Sequence, residues 1–178
     1  MTDLWTERLV LHPMTPREAE RVIALAAAEA DLWGPDYPDA MDVKGAKDFL
    51  KACATAGDPR PFGNYEIRRR EDGRAIGGIG FDGMPQEDRS VTVGYSLNLS
   101  ARGRGYAAEA LRGLLAFARS RGIALVRADA DLDNFASQRV MLAAGMHRIG
   151  EDHRVVYFEL PAPDGSPSSG PDQSAASR

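Results

Sequence analysis

The spacing of apolar and polar residues changes period several times along the chain. Arg8 to His12 (RLVLH) predicts a short strand, ended where Pro13 removes a ladder donor. Thr15-Pro16-Arg17-Glu18 is a capping-box pattern with proline at the first helical position, and Ala19, Val22, Ile23 and Ala26 follow at i, i+3, i+4 and i+7. A helix is expected there. A second, shorter helix is expected from Asp42 to about Thr55, with Val43, Ala46, Phe49, Leu50 and Cys53 along one side. From Phe62 to Asp82 the period falls to two on either side of Glu71-Asp72-Gly73-Arg74, the pattern of an antiparallel hairpin. Ser90 to Leu97 alternates again and leads through a glycine-containing loop into a long helix over about 104–120, with Ala107, Ala110, Leu111, Leu114 and Ala118 on its apolar stripe. A strand at Leu125–Ala130, a helix at about Asn134–Ala144 stopped by Gly145, and strands near 146–151 and 153–160 complete the order β-α-α-β-β-β-α-β-α-β-β.

Composition narrows the class. At 43% hydrophobic and 27% charged, with a net charge of −4, the 178 residues have the balance of an ordinary globular chain. Residues 1–160 suffice for one core, whereas 161–178 hold four Pro, two Gly and five Ser and predict a disordered tail. No apolar run approaches the roughly 18 to 20 residues of a membrane span, and MTDLWTERLV lacks the order of a secretory signal, so a cytoplasmic address is expected. The single cysteine, Cys53, excludes an internal disulfide and is expected as a small buried hydrophobe, and three scattered histidines give no metal-site spacing. The acidic balance disfavours nucleic acid as partner; 19 Arg against 3 Lys reads as a compositional bias.

The informative segment is Arg102-Gly103-Arg104-Gly105-Tyr106-Ala107, between a strand and an amphipathic helix. Amides at a helix start have no intrahelical partner, glycines let the backbone turn around a phosphate, and the helix dipole favours negative charge. A pyrophosphate suits that cradle, although a plain tight turn needs the same glycines. Gly103-x-Gly105-x-x-Ala108 also fits the loose dinucleotide fingerprint, with Asp129 or Asp131 as a ribose acid. That alternative fails on context: the motif follows an antiparallel hairpin past mid-chain and leaves too few residues for further βαβ units. No Gly-Lys-Ser or Gly-Lys-Thr occurs, which excludes a P-loop.

The same segment satisfies the Gln/Arg-x-x-Gly-x-Gly/Ala pattern of the GNAT superfamily of acyl-CoA-dependent N-acetyltransferases, which the chain resembles. Val93-Gly94-Tyr95-Ser96-Leu97, Tyr106-Ala107-Ala108-Glu109-Ala110, Asp133-Asn134-Phe135-Ala136-Ser137-Gln138-Arg139-Val140 before Ala144-Gly145-Met146, and Thr6-Glu7-Arg8-Leu9-Val10-Leu11 are similar to its ribosomal-protein N-terminal acetyltransferase (Rim-type) branch. The resemblance covers about residues 5–160. It implies an α+β GNAT fold: a mixed, mostly antiparallel sheet of about seven strands flanked by about four helices. It also implies acetyl-CoA as co-substrate, without a metal. Ser96 and Leu97 would then pair with the pantetheine amides, and Arg102, Gly103, Arg104, Gly105, Tyr106 and Ala107 would hold the pyrophosphate. Asn134 and Arg139 would contact the cofactor, Asn134 being equally suited to cap its helix. The branch often has an aromatic where Ser96 stands and Asp-Pro where Asn98-Leu99 stands, which suggests a more open pantetheine wall. Met141 occupies the position of a tyrosine general acid in many relatives and cannot donate a proton. Ser137 is then the acid candidate, unless its hydroxyl only satisfies backbone at a helix start.

An attacking amine must be neutral, so a base or water chain has to take its proton. The resemblance makes Asp129 the first candidate, since some relatives carry a catalytic glutamate on that strand; alternation equally puts Arg127, Asp129 and Asp131 in one solvated charge row. Asp82 and Glu66 are weaker candidates. An oxyanion would be met by a backbone N–H near Leu97 and the Ser137 hydroxyl. The acceptor is a protein α-amine or a small-molecule amine, with Asp36, Asp39, Glu87 and Asp88 available in loops, and Leu32–Pro38 as an aromatic loop for the pocket wall. The alternative is an acyl-CoA-binding regulatory or sensor module without turnover, and a homodimer is compatible with either.

Overall fold

A computed structural model describes residues 2–162. Its strands are β1 (Leu4–Trp5), β2 (Leu9–Pro13), β3 (Asn64–Arg69), β4 (Ala75–Phe81), β5 (Ser90–Leu97), β6 (Leu125–Asp131), β7 (His147–Glu151) and β8 (Val155–Pro161). The helices are α1 (Pro16–Ala24), α2 (Ala40–Ala56), α3 (Tyr106–Ser120) and α4 (Phe135–Ala143), with a 3-10 turn at Leu99–Ala101. All eight strands form one sheet in the order β1-β2-β3-β4-β5-β6-β8-β7. Every neighbouring pair is antiparallel except β5 and β6.

Alternation along the central strands sends side chains to two separate cores. Ile79 and Phe81 of β4, with Val91, Val93 and Leu97 of β5, pack on Ala110, Leu111, Leu114, Leu115 and Ala118 of α3. On the other face Ala19 and Val22 of α1 meet Ala46 and Phe49 of α2, with Met14, Tyr37 and Ala75 between them. The sheet therefore lies between an α3 layer and an α1–α2 layer, and each layer buries one apolar stripe. Cys53 is half-buried against the second core, where burial pushes its thiol pKa up, as expected of a small hydrophobe.

Local signals set most boundaries. Thr15 and Glu18 form the reciprocal capping box at α1. The second helix begins two residues before the expected Asp42, because Asp39 caps it and Asp42 closes a second box as its third residue. The two-residue β1, paired to Val10 and Leu11, has no periodic signal of its own and was not anticipated. At the other end, the last strand runs one residue past the expected 160: Pro161 pairs with Leu125, and the Ala162 N–H donates to Ala124 O at 2.8 Å. The remainder of the expected tail, 163–178, lies outside the described residues. No helix among the described residues is long and apolar enough to cross a membrane.

The feature that positions chemistry is where two strands part. Strands β5 and β6 are paired only from Ser90, Val91 and Thr92 to Leu125, Val126 and Arg127. Beyond that, Val93–Leu97 stays bonded to β4 and Ala128–Asp131 to β8. The facing edges run apart, leaving a gap in the middle of the sheet with backbone groups on both sides.

Candidate active site

At one mouth of the gap, the turn after β5 delivers the chain to the start of α3. Gly103 and Gly105 adopt φ of +75° and +78°, a conformation that L side chains rarely take, and Gly105 is the N-cap of α3 with no side chain bonded to the helix end. Among the described residues none of the amides from Gly103 to Ala108 donates to another protein group, and the space beside Gly103 is open for at least 4 Å. Free amides, an N-terminal dipole and open space on one side suit a phosphate group, so the cradle read from sequence is physically present. Tyr106 itself is buried under the Arg8 guanidinium, 4.8 Å from its ring centre, so it offers the cradle its backbone rather than its hydroxyl.

The cradle is braced by a cluster the sequence reading did not single out. Glu109, in the first turn of α3 and only 7% exposed, accepts from Thr6 Oγ1 at 2.6 Å and from the Arg8 backbone N–H and Nε at 2.7 Å each. Arg8 Nη1 donates in turn to Arg104 O at 3.0 Å. The exposed Arg102 turns back, its Nε donating to Leu97 O at 2.9 Å, which ties the loop to the end of β5. The signal that was available is a lone glutamate at the edge of an apolar stripe, which needs buried partners.

Across the gap, α4 faces β5. Asn134 caps α4, its Oδ1 accepting from Ser137 N–H at 3.1 Å, so the capping role is occupied whatever else the exposed residue contacts. Ser137 Oγ lies 2.8 Å from Tyr95 Oη, and the same phenol donates to Ser137 O at 3.0 Å. Burial pushes the Tyr95 hydroxyl up to about 12, with the Ser137 contact pulling the other way. Met141 is 2% exposed in the α3 core, a packing residue. Arg139 is exposed on α4 and makes no ion pair among the described residues.

On the opposite face, next to the same stretch of β5, is a cavity of about 300 Å³. Its floor is Gly78 and Gly80 of β4 with Gly94 and Ser96 of β5, and α2 and Tyr37 wall it. Ser96 thus faces this cavity, and the small side chain expected to open the pantetheine wall opens this chamber instead, because alternation turns Ser96 away from the α3 layer. Asp42 lines the chamber while only 5% exposed. Its Oδ2 accepts from Asn98 Nδ2 at 2.7 Å and from the Asp39 N–H at 2.9 Å; its Oδ1 has no partner. Burial pushes this carboxyl up to about 6, against the two hydrogen bonds and with help from the neighbouring Asp39 charge.

The remaining candidates separate by position. Asp129 and Asp131 are exposed on β6, on the far side of the gap from Gly94 and Ser96. Arg127 is engaged with Ser90 Oγ, Glu159 and Asp88, so the row is not a simple chain of pairs. Glu66 is not placed for proton transfer: it is 3% exposed, with Oε1 receiving the Tyr37 hydroxyl at 3.0 Å and Oε2 gripped by Arg68. Asp82 lines the chamber at its rim, as does the Lys44–Asp48 pair. The loop carboxylates proposed for the pocket do other work. Asp39 caps α2, Asp36 accepts from the Ser100 N–H and hydroxyl, Asp88 accepts from the Ser90 N–H, and Glu87 is exposed away from the cavity. Of the aromatic loop Tyr37 reaches the wall, with Trp33 edge-on behind it at 5.7 Å between ring centres. No cluster of metal-ligating side chains occurs among the described residues.

Known proteins share this fold. The acetyltransferase (GNAT) domain family model matches residues 8–147. An uncharacterised N-acetyltransferase of Bacillus subtilis (strain 168), YjdG, is 30% identical over 126 residues, which is 68% of this chain and 75% of that protein. A ribosomal-protein-S5-alanine acetyltransferase from Vibrio fischeri superposes with a TM-score of 0.68 at 15% identity, covering 94% of this chain and 100% of the other. RimL, a ribosomal L7/L12 alpha-N-protein acetyltransferase in complex with coenzyme A, does so with a TM-score of 0.67 at 18% identity, covering 90% and 98%. At such identities the two structures share the fold.

Proposed function

This chain belongs to the GNAT acetyltransferase family and takes its acetyl group from acetyl-CoA, and on that premise we propose that it moves the group directly to a primary amine, a protein N-terminus or a small-molecule amine. The observation that carries the reading is the continuity of three parts: the amide cradle at α3, the unpaired β5 edge, and an acidic chamber opening beside that edge on the opposite face. A donor held along the edge and an acceptor entering from the chamber would meet without an acyl-enzyme. Cys53 sits on α2 and half-buried in the second core, outside the gap, which supports direct transfer.

In this reading the amides of Gly103 to Ala107 hold the pyrophosphate, with Arg102 and Arg104 adding charge, and the gap-facing backbone of β5 at Leu97 pairs with the pantetheine arm, the N–H and C=O of Ser96 being turned to Gly78 of β4. Asn134 and Arg139 flank that arm. A backbone N–H near Leu97 meets the developing oxyanion. Ser137 gives a proton to the departing thiolate, and Tyr95, hydrogen-bonded to it, replaces that proton. Asp129 stands across the gap as the base the resemblance suggests. The Rim-type likeness in fold favours a protein α-amine among the acceptors, and we place the reaction in the cytoplasm.

Thiol release from acetyl-CoA, followed with short peptides bearing free N-termini and with diamines, tests the reading. Amine-dependent release with a matching mass gain of one acetyl group on the amine is expected. Tight acetyl-CoA binding with release from no amine would leave only the sensor module.

A further inference from the structure

Asp42 has no role in any of the steps above, and its surroundings are those of a functional group. A carboxylate 5% exposed ordinarily has both oxygens satisfied. Here Oδ2 is pinned by Asn98 and the Asp39 N–H, while Oδ1 is left without a partner. The unpartnered oxygen is itself buried and lies against the chamber floor: a Cβ added to Gly78 would come within 3.4 Å of it, and Gly78 is the cross-strand partner of Ser96 at the gap. Glycine at 78 leaves out the side chain that would stand against Oδ1, and glycine at 94 leaves the β5 side of the chamber open. Asn98, which fixes the other oxygen, follows directly on β5, so the carboxylate and the reacting edge are held in one frame.

We propose that Asp42, in place of Asp129, is the group that takes the proton from the acceptor's ammonium, with Oδ1 receiving it directly or through one water. The inference rests on the amine-acetylation reading and names the acceptor as a primary amine arriving protonated. The ammonium gives one proton to Asp42, its freed lone pair forms the C–N bond to the acetyl carbon, and the C–S bond breaks. The thiolate takes a second proton from Ser137, and the amide keeps the third hydrogen of a primary ammonium. Asp42 then releases its proton to solvent, and the proton the new bond leaves on nitrogen is the one that restores the Ser137–Tyr95 pair.

A carboxyl held at about 6 is mostly ionised at neutral pH and gives its proton back readily. The charged or titratable groups around it are Asp39 on its own helix with Arg102 beyond, Tyr37 with Glu66 and Arg68 behind it, and Asp82 and the Lys44–Asp48 pair at the rim. None bonds to Oδ1.

The test compares wild type, Asp42→Asn and Asp129→Asn in thiol-release assays with cadaverine and short peptides bearing free N-termini, beside calorimetric titration with acetyl-CoA. The Asp42 carboxyl is also titrated by carbon NMR in CoA-bound wild type, with and without the same amines. Expected for Asp42→Asn are acetyl-CoA affinity within twofold, kcat lower by about 10²–10³ with KM changed far less, and loss of the break near pH 6. Asp42→Asn retaining kcat within threefold while Asp129→Asn collapses would overturn the inference. If wild type acetylates none of these amines, the function reading fails on its own and the NMR titration still decides: a fall in the carboxyl pKa on adding amine supports Asp42 as the amine's partner, and an unmoved titration overturns it.

Discussion

The phenol of Tyr95 on β5 and the hydroxyl of Ser137 on α4 meet at 2.8 Å, directly across the gap where β5 and β6 part. The contact links the two walls of that gap. It also joins a hydroxyl that the family resemblance makes the acid to a phenol whose burial keeps it protonated to about pH 12.

Removing either hydroxyl should therefore harm turnover more than binding. Tyr95→Phe is expected to lower kcat by about 10-fold and Ser137→Ala by about 100-fold, within the usual range for a positioned acid. Acetyl-CoA dissociation constants should stay within a factor of three in both. A parallel loss of affinity and turnover would instead make the pair a structural latch.

At Gly105 the backbone sits at φ +78°, and a Cβ there would point toward Arg8 Nη2 at 3.5 Å. Gly105→Val should cost about 1–2 kcal/mol of stability through that conformation alone. Its larger effect is expected on acetyl-CoA affinity, at least tenfold, because leaving the positive φ and crowding the Arg8 brace would move the amides of the cradle. Calorimetry with acetyl-CoA and thermal denaturation of the same variant separate the two, and unchanged affinity would refute the phosphate cradle.

Glu109 supports the same loop from behind. Glu109→Ala leaves the Thr6 hydroxyl and two donors of Arg8 without their acceptor, a loss of about 2–3 kcal/mol at roughly 1 kcal/mol each. Arg8 then no longer holds Arg104 O, so weaker acetyl-CoA binding should accompany the lower melting temperature. Glu109→Gln keeps one acceptor and should lose about half as much stability.

Asp42 gives a stability signature of opposite sign. Its folded-state pKa near 6 lies above the ordinary 3.8. Between those values the folded protein holds a proton that the unfolded chain has released, so stability falls as pH rises through the window. Asp42→Asn removes that penalty, by up to about 3 kcal/mol for two pH units, and should be more stable than wild type above pH 6 with the difference vanishing toward pH 4. Chemical denaturation at pH 4.5 and 8 checks this, and a variant destabilised at both would mean that Asp42 is held for structure.

The His12–Glu18 pair should shape the pH profile elsewhere. Glu18 resists the upward push of burial because His12 and Thr15 donate to it, and it is brought down to about 2; the hydrogen bond to Glu18 raises His12. The Glu18 contribution is full above its ordinary 4.5 and disappears toward pH 2, and the His12 contribution is full below 6.5 and is lost as pH rises through its raised value. His12→Gln should flatten the alkaline side of the stability curve and also weaken the acid side, because His12 is the largest influence holding Glu18 down while Thr15 keeps part of the effect. Denaturation midpoints between pH 3 and 9 provide the check.

Much of this molecule follows from local chemistry, and those parts were legible in the sequence. The Thr15–Glu18 box, the apolar stripe of α3, the two glycines before it and the alternation of β4 and β5 are each written within a few neighbouring residues, and each is in place. The cradle of free amides belongs with them, since it needs only a turn and a helix start. What alternation could not supply is which face of β5 looks onto which layer, so Ser96 was credited to the cofactor side and lies in the acidic chamber. Partners far apart in the chain were equally hidden. Tyr95 with Ser137, Glu109 with Thr6 and Arg8, and Asp42 with Asn98 are separated by 42, about 100 and 56 residues. Sequence alone made Asp42 a helix-start residue and Glu66 a possible base. Tertiary packing set them apart by burying both, giving each oxygen of Glu66 a donor and leaving one oxygen of Asp42 without any, and burial with or without a partner decides what a carboxylate can do.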